Sequence, residues 1–243
     1  MKKKNYCLII DSGLGGLHIL AKAILQNPTA NFLYVADNKN LPYGNKSQKE
    51  LQSIIFEIIN RFSTCYNIKT VVLACNTATA ATIDYLRQKL SIPIIGTEPN
   101  TTITTKLGFK NVAVLVTPLS ASMPRIKRLI HANNRLVACP TLCRKIEDAL
   151  KTKTAPDIND LIKYIKQNHF DAIVLGCTHY SFIASALSEL NLPIFDSIDG
   201  TVKQISNYSH LFAERGDFRI ILTSHNQTLR ASYQEYLNQL LKV

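Results

Sequence analysis

The chain has 243 residues, enough for one large domain or two of ordinary size, and its 46% hydrophobic content is typical of a globular protein with a sizeable core. Its 28 Lys and Arg residues outnumber its 17 Asp and Glu residues, which gives a formal net charge of +11. The basic residues are scattered, without a basic helix or a ladder of aromatic side chains, so we expect attraction of small anions and no nucleic-acid partner. No apolar run approaches the roughly 18 residues of a membrane-spanning helix, and we expect a cytoplasmic protein.

The chain contains six cysteines, and we expect all of them to be free thiols. It is too long for a framework built on so few disulfides, and no signal segment directs it to an oxidising compartment. We interpret Cys7 and Cys65 as inert, buried side chains. Cys139 and Cys143 could form half of a metal site, but no second pair with ligand spacing follows and the six histidines are dispersed. We therefore expect no metal.

Short apolar runs rich in Val and Ile alternate with longer segments of helical period. This alternation is typical of βα units around a mostly parallel sheet, so we predict an α/β fold. The predicted strands, in chain order, are residues 6–10, 32–35, 70–74, 92–95, 112–117, 135–138, 172–175, 193–195 and 218–223. The predicted helices include residues 48–62, 77–90, 122–131, 157–168 and 227–241, several of them opened by Ser, Thr or Asp at a cap position.

The chain also repeats one local plan. Residues 70–77 and 172–179 each combine a buried strand, a small residue, a cysteine and polar groups that open a helix. Residues 7–12 and 113–118 match each other more loosely. Together these similarities predict two pseudo-symmetric α/β domains with mostly parallel sheets.

The two matching cysteines, Cys75 and Cys177, follow the carboxyl ends of predicted strands, where α/β folds bind ligands. Two domains that face each other would direct both thiols into one cleft, and we expect the active site there. We place the first domain at residues 1–97 plus 201–243, so that the C-terminal segment completes the N-terminal half. The second domain then comprises residues 98–200.

A thiol between the end of a strand and the start of a helix lies near the positive end of the helix dipole and near backbone N–H donors, so we expect lowered pKa values for Cys75 and Cys177. One thiolate could remove an α-proton while the other thiol protonates the opposite face, which inverts the carbon. The α-hydrogen of an amino acid is far less acidic than a thiol, so the developing carbanion needs polar groups around its carboxylate. Asn76, Thr77 and Thr178 are placed to provide them.

Four stretches of the chain resemble the signature motifs of bacterial glutamate racemases. They are Asp11-Ser12-Gly13-Leu14-Gly15-Gly16, Asp37 through Pro42-Tyr43-Gly44, Ala74-Cys75-Asn76-Thr77 and Gly176-Cys177-Thr178-His179-Tyr180. They occur in the family's order and approximate spacing, and the similarity covers essentially the whole chain. The resemblance implies a PLP-independent isomerase that supplies D-glutamate for peptidoglycan, binds glutamate between two pseudo-symmetric domains without a cofactor and, like many family members, forms a homodimer.

The same resemblance implies roles for individual residues. Cys75 would take the α-proton of D-glutamate with assistance from Asp11, and Cys177 would take that of L-glutamate with assistance from His179. The backbone N–H groups of residues 12–13 and of the turn at residues 42–44 would bind a second carboxylate. The implied substrate-binding residues are Asp11, Ser12, Pro42, Tyr43, Gly44, Asn76, Thr77, Thr178 and His179.

Two acidic residues, Asp37 and Glu147, match positions that lie near the site in the family, and we expect them to support it. A solvated helix face explains Glu147 equally well. The chain departs from the family pattern at Ser181, where Pro is usual, and at residues 139–144, which are less apolar than usual. We expect neither departure to touch the two reactive thiols.

Three other interpretations remain open. The glycine loop at residues 13–16 follows a strand and Asp37 lies just beyond the next strand, as in dinucleotide-binding sites, but His18 stands in place of the third glycine. An aspartate or hydantoin racemase would use the same two thiols, and His179 favours the glutamate branch by resemblance. Outside the enzymes, the alternative is a basic nucleic-acid-binding or redox-sensing protein without turnover.

Overall fold

A computed structural model describes residues 3–242 of the chain, so residues 1, 2 and 243 of the predicted first domain lie outside it. Every strand pair within the two sheets of the described chain is parallel. The first sheet has five strands in the order β4-β3-β1-β2-β9. These strands are β1 (Asn5–Asp11), β2 (Phe32–Ala36), β3 (Asn67–Leu73), β4 (Ile94–Gly96) and β9 (Phe218–Leu222).

The second sheet has four strands in the order β6-β5-β7-β8. They are β5 (Val112–Val116), β6 (Asn134–Ala138), β7 (Ala172–Leu175) and β8 (Ile194–Phe195). Read in the opposite direction, this order is β8-β7-β5-β6. These four strands therefore occupy the same relative positions as β4, β3, β1 and β2 of the first sheet. The predicted fold class, two pseudo-symmetric α/β units with parallel sheets, is confirmed.

Eleven α-helices connect or follow the strands of residues 3–242. They are α1 (Leu17–Gln26), α2 (Gln48–Cys65), α3 (Asn76–Lys89), α4 (Thr101–Lys106), α5 (Pro118–Ser122), α6 (Pro124–Leu129), α7 (Leu142–Thr152), α8 (Asn159–Gln167), α9 (Ala184–Leu187), α10 (Ile198–Tyr208) and α11 (Gln227–Leu240). No helix in this part of the chain combines the length and apolar character needed to cross a membrane.

One predicted helix is divided in the structure, and the ends of several other predicted elements differ from those observed by up to three residues. The helix predicted at residues 122–131 is wrong, because Pro124 disfavours helical backbone at Met123 and opens a new helix. Met123 is extended between α5 and α6, with φ −70° and ψ 131°. Strand β3 starts three residues earlier than the predicted 70–74, because its first residues, at 67–69, alternate half-buried and buried instead of forming an apolar run.

The C-terminal segment packs against the first sheet. Val202 and Ile205 of α10 share one buried cluster with Tyr233 and Leu237 of α11 and with side chains of β1, β2 and β9. Helix α10 begins before the predicted domain boundary at residue 200, so this boundary falls inside a helix. The division into two domains itself stays a prediction.

The chain order places both reactive positions at equivalent strand ends. In the first sheet, β2 lies on one side of β1 and β3 lies on the other side. In the second sheet, β6 and β7 lie on opposite sides of β5 in the same way. The point between the first and third strands, where the direction of winding reverses, is the usual ligand-binding position of open α/β sheets. Cys75 follows β3 and Cys177 follows β7, so both cysteines lie at such a point.

We predict that Gly176→Ala lowers the free energy of unfolding by about 1–3 kcal/mol, because the new methyl group would overpack this strand end. A Cβ at this position would lie 2.6 Å from the carbonyl oxygen of Leu115 and 2.7 Å from a Val116 methyl carbon. Urea unfolding followed by circular dichroism measures the change.

Gly200→Ala is the matched control. A Cβ there meets nothing within 4 Å, and the residue lies in α10, so alanine should raise stability by about 0.5–1 kcal/mol. Equal effects of the two substitutions would contradict the packing role assigned to Gly176.

Candidate active site

Cys75 and Cys177 both line one narrow cleft with a free volume of about 20 Å³. Cys75 is the N-cap of α3, and Cys177 immediately precedes a 3-10 helix, Thr178–Ile183. Each residue is only 3% exposed, so both sulfurs are shielded from bulk water. The other predicted site residues that line this cleft are Ser12, Pro42, Tyr43, Gly44, Thr77 and His179.

Part of the cleft wall was not predicted from the sequence. The additional lining residues are Leu41, Asn45, Thr117, Pro118, Cys139, Pro140 and Cys143. Thr117 directly follows β5, and Asp11 is the last residue of β1, so the two residues have equivalent positions in the two halves. The similarity between residues 7–12 and 113–118 could therefore have predicted Thr117 as a site residue. Its hydroxyl lies 3.0 Å from that of Thr77, which joins the ends of the two sheets across the cleft.

The remaining predicted residues are buried beside the cleft rather than in its lining. They are Asp11, Asp37, Asn76, Glu147 and Thr178. Asp11 accepts hydrogen bonds from the Gly13 N–H at 2.8 Å and from the Thr178 hydroxyl at 3.1 Å, so its carboxylate links the two halves. The predicted contacts of Asp11, Asn76 and Thr178 with substrate stay predictions, as do the supporting roles of Asp37 and Glu147.

The glycine loop after β1 approaches the second half closely. A Cβ at Gly15 would lie 2.6 Å from the Thr178 hydroxyl oxygen and 2.7 Å from the His179 nitrogen. At Gly13, a Cβ would clash with a carboxylate oxygen of Glu147. These glycines therefore allow the backbone of one half to approach Thr178, His179 and Glu147 of the other, which is a different use from the cradle of a dinucleotide phosphate.

Asp37 anchors the turn that carries Tyr43. Its carboxylate accepts hydrogen bonds from the Tyr43 hydroxyl and from the Thr223 hydroxyl, each at 2.7 Å. Asp37 is 1% exposed, and a carboxylate so deeply buried is stable only with such partners. Asp37 therefore holds the side chain of Tyr43, which lines the cleft, while its predicted support of the site stays a prediction.

Asn76 follows the reactive Cys75 and is also buried. Its side-chain N–H donates to the Thr97 carbonyl oxygen at 3.2 Å. Its Oδ1 has no hydrogen-bond partner within residues 3–242. An unpaired buried acceptor is costly, so this oxygen is available to a donor brought in by a ligand.

Glu147 and His179 form a buried pair beside Cys177. The Glu147 Oε1 lies 2.8 Å from the His179 Nε2 and also accepts the Leu14 N–H at 3.2 Å. Burial lowers the pKa of His179, but the hydrogen bond to Glu147 and the negative groups nearby raise it more, to about 10. Glu147 is 4% exposed, so its interpretation as part of a solvated helix face is wrong. The His179 Nδ1 faces the Cys177 Sγ at 4.0 Å.

The predicted lowering of the thiol pKa values is wrong. Burial and, to a smaller extent, the charge of Asp11 raise the pKa of Cys75 to about 12, because the backbone N–H groups of the helix start oppose them only in part. The hydrogen bond to Cys143 and burial raise the pKa of Cys177 well above its ordinary value. Helix N–H donors are present, as predicted, but the loss of water around the sulfurs outweighs them.

The two cysteines interpreted as inert differ from each other. Cys7 is fully buried in β1, as predicted, whereas Cys65 at the end of α2 is exposed. The departure at residues 139–144 does touch a reactive thiol, because the Cys143 Sγ lies 3.5 Å from the Cys177 Sγ. That expectation is therefore wrong also. No signal in the sequence placed Cys143 in the site.

One group in residues 3–242 has the composition of a metal site. The ligand atoms of Cys143, Cys177 and His179 lie within 4.8 Å of one another. Thiolate and imidazole are the ligands that zinc prefers. A metal bound there would occupy the thiol that the two-base chemistry requires.

The chain belongs to the aspartate, glutamate and hydantoin racemase family, whose model matches residues 19–205. A glutamate racemase from Clostridium acetobutylicum is 34% identical over 236 residues, which cover 90% of this chain and 92% of that protein. A glutamate racemase from Campylobacter concisus is 36% identical over 215 residues and covers 81% of this chain and 80% of its own length.

Solved structures agree with this membership. The crystal structure of glutamate racemase isoform RacE1 from Bacillus anthracis has a TM-score of 0.81 at 27% identity, covering 98% of this chain and 95% of that one. The Escherichia coli glutamate racemase in complex with L-glutamate and the activator UDP-MurNAc-ala has a TM-score of 0.84, covering 98% of this chain and 95% of that one. At 21% identity, the second likeness concerns the fold alone.

We predict that Glu147→Gln lowers the pKa of His179 from about 10, because the substitution removes the negative charge that opposes the burial of the imidazolium. The raised pKa stabilises the folded state below the unfolded value of about 6.5, and this contribution is lost as the pH rises through the folded value. Nuclear magnetic resonance of the imidazole C–H signals against pH measures the pKa.

Asp148→Asn is the control for this titration. Asp148 is the next residue of α7, and its side chain is 57% exposed beside Arg144. The pKa of His179 should remain unchanged in this variant. A titration of His179 that is the same in Glu147→Gln as in the wild type would refute the pairing.

Proposed function

We propose that this chain is a glutamate racemase that interconverts L-glutamate and D-glutamate with two cysteine bases and supplies D-glutamate for peptidoglycan. The observation that carries the proposal is the pair of shielded sulfurs, Cys75 and Cys177, on one cleft between two equivalent strand ends. Membership in the family and the 34% identity to a glutamate racemase over 90% of the chain support the choice of glutamate.

In the direction from L-glutamate, the Cys177 thiolate takes the α-proton and the Cys75 thiol donates a proton to the opposite face of the carbanion. The product is D-glutamate, and the negative charge has moved from one sulfur to the other. In the reverse direction, Cys75 is the base and Cys177 is the acid. No electron leaves the substrate, so the step requires two proton-transfer groups and a stabilised carbanion.

The raised thiol pKa values suit this task. A buried thiolate with a high pKa is a strong base, and the α-hydrogen of an amino acid requires one. The negative charge of Asp11 raises the pKa of Cys75, which makes the Cys75 thiolate more basic. Substrate brings an ammonium group into the cleft, and a nearby positive charge favours the thiolate form.

The two sulfurs have different partners. Cys177 faces the His179 imidazolium, whose charge stabilises a thiolate on that side, while Glu147 holds the ring in place. Cys75 instead receives backbone N–H groups from Thr77 and Ala78 at the start of α3. Each thiolate thus has a donor, and these donors assist proton removal from opposite faces of the substrate.

Polar groups in the wall would hold the carboxylates of glutamate. Ser12, Thr77 and Thr117 line the cleft with hydroxyl-bearing side chains, and the backbone N–H groups of Tyr43 and Gly44, which also line it, would add donors. The unpaired Oδ1 of Asn76 would accept a hydrogen bond from the substrate ammonium. Donors aimed at the α-carboxylate lower the energy of the enolate-like carbanion, which is the least stable species of the reaction.

Two further expectations from the sequence stay predictions. The homodimer implied by the family resemblance is tested by sedimentation equilibrium across a range of protein concentrations. The cytoplasmic location is tested by fractionation of the cells that produce the protein.

We predict that Cys75→Ala and Cys177→Ala each lower racemisation of glutamate by roughly a hundredfold to ten-thousandfold, because one of the two proton-transfer groups is lost. Each variant retains a base for one enantiomer. In D2O, Cys177→Ala should exchange the α-hydrogen of D-glutamate without inversion, and Cys75→Ala should do the same with L-glutamate. Proton nuclear magnetic resonance and chiral chromatography separate exchange from inversion.

Cys65→Ala, which removes an exposed thiol at the end of α2, is the control and should racemise normally. Both enantiomers of aspartate are tested beside glutamate, and faster turnover of aspartate would overturn the substrate assignment. Near-normal racemisation by either active-site variant would overturn the two-base mechanism.

A further inference from the structure

Three side chains with metal-binding atoms meet at the cleft. The Cys143 Sγ lies 3.5 Å from the Cys177 Sγ, and the His179 Nδ1 lies 4.0 Å from the same Cys177 sulfur. One ligand atom from each residue lies within 4.8 Å of the other two, and all three residues line the cleft. Helix α7 supplies Cys143, and the start of the 3-10 helix after β7 supplies the other two.

The separations of these atoms agree with a tetrahedral zinc site. Zinc–sulfur bonds are about 2.3 Å long and zinc–nitrogen bonds about 2.0–2.1 Å, so tetrahedral angles place two sulfurs roughly 3.8 Å apart and a sulfur and a nitrogen roughly 3.6 Å apart. The observed 3.5 Å and 4.0 Å differ from these values by less than about 0.5 Å, which a small side-chain rotation would correct. Two thiolates and one imidazole, with an open fourth position, are a ligand set that zinc uses.

Glu147 supports this arrangement from outside the ligand group. Its Oε1 lies 2.8 Å from the His179 Nε2, and the other ring nitrogen, Nδ1, faces the Cys177 sulfur. A histidine that binds a metal almost always donates its second N–H to a carboxylate, a carbonyl or water, which fixes the orientation of the ring. Glu147 and His179 are both buried, so little water competes for this contact.

We propose that Cys143, Cys177 and His179 form a zinc site, and that bound zinc reversibly blocks Cys177. All three residues line the cleft, so the ion enters from there and a water molecule in the cleft is its fourth ligand. The inference goes beyond the proposed racemase activity, because the ion takes no part in the proton transfers. It removes one of the two bases, and the metal-free chain is the active form.

Zinc binding exchanges protons for the ion, and no electron moves. The two thiols and the imidazole Nδ1 release their protons to solvent, and the lone pairs of the sulfurs and the nitrogen form the bonds to zinc. Two thiolates balance the two positive charges of the ion, and Glu147 keeps the Nε2–H donor, which the bound ion polarises. This balance suits a buried site, in which Cys177 and His179 are only 3% and 2% exposed.

Spacing along the chain concealed this group. The sequence pairs Cys143 with Cys139, whereas the structure places Cys143 beside Cys177, 34 residues later. The sulfur of Cys139 instead donates to the Val137 carbonyl oxygen at 3.5 Å. The expectation of no metal rested on the missing second pair, and a site assembled by folding does not require one.

The first test measures binding without turnover. The full-length chain is reduced, stripped of metal and titrated with Co²⁺, whose tetrahedral thiolate complexes absorb visible light, and zinc is then added to displace the Co²⁺. The wild type should bind one equivalent of either ion. Cys143→Val should bind zinc more weakly by at least the roughly 10–100-fold that is typical of an outer-shell change, because a direct ligand is lost. Cys139→Val is the matched control and should bind zinc as the wild type does.

The second test measures racemisation of glutamate against the concentration of free zinc. The wild type and Cys65→Ala, which lacks an exposed thiol far along the chain from the site, should lose activity as zinc binds and recover it when a chelator is added. Cys143→Val is compared with its own zinc-free rate, and its half-inhibiting zinc concentration should rise by the same factor as its loss of affinity. Circular dichroism checks its folding, and Cys143→Ser, which is closer to cysteine in size, replaces it if it does not fold.

The outcomes separate the two proposals. A wild type that binds zinc more tightly than Cys143→Val but does not racemise glutamate would overturn the proposed function and leave the zinc site supported. Equal zinc binding by these two proteins, or no binding by either, would overturn the zinc site. Binding without inhibition would overturn the block of Cys177. Inhibition that a thiol reductant reverses and a chelator does not would indicate a disulfide between Cys143 and Cys177, and would also overturn the proposal.

Discussion

The approach of two strand ends, β3 and β7, is the constraint on which the site depends. Parallel sheets leave unpaired backbone groups and helix N-termini at their carboxyl ends, and here two such ends meet at one cleft. The meeting requires close backbone contact, which the absence of a side chain at Gly15 permits against Thr178 and His179. The hydrogen bond from the Thr178 hydroxyl to the Asp11 carboxylate stabilises the same contact. This geometry brings the two thiols, Cys75 and Cys177, to one cleft.

The sequence predicted the fold because each level of its pattern agrees with the others. Val71, Val72 and Val174 lie in short apolar strands, and a small residue, a cysteine and a helix follow both strands. A repeated plan of this kind predicts equivalent positions in space even without coordinates. The errors were local. Pro124 divides a predicted helix. The half-buried Asn67 interrupts the apolar pattern at the start of β3, so the first residues of this strand were not predicted.

The site was predicted less completely because its electrostatics come from contacts between distant parts of the chain. Glu147 belongs to α7, and only the folded chain brings it within 2.8 Å of His179. Cys143 lies on the same helix and reaches Cys177 in the same way. The predicted direction of the thiol pKa shifts was wrong for a related reason. The helix dipole can be inferred from the local sequence, whereas the burial of Cys75, which raises its pKa, depends on residues from many parts of the chain.

Burial and charge together explain why the cleft holds so many ionisable groups. Each buried acid is stable only with a donor: Asp37 has Tyr43, and Glu147 has the imidazolium of His179. The thiols of Cys75 and Cys177 meet the same requirement by remaining protonated, since their pKa values are raised. In the proposed mechanism, such a site keeps its strong bases neutral until a charged substrate arrives, because the substrate ammonium would then stabilise the thiolate that removes its own α-proton.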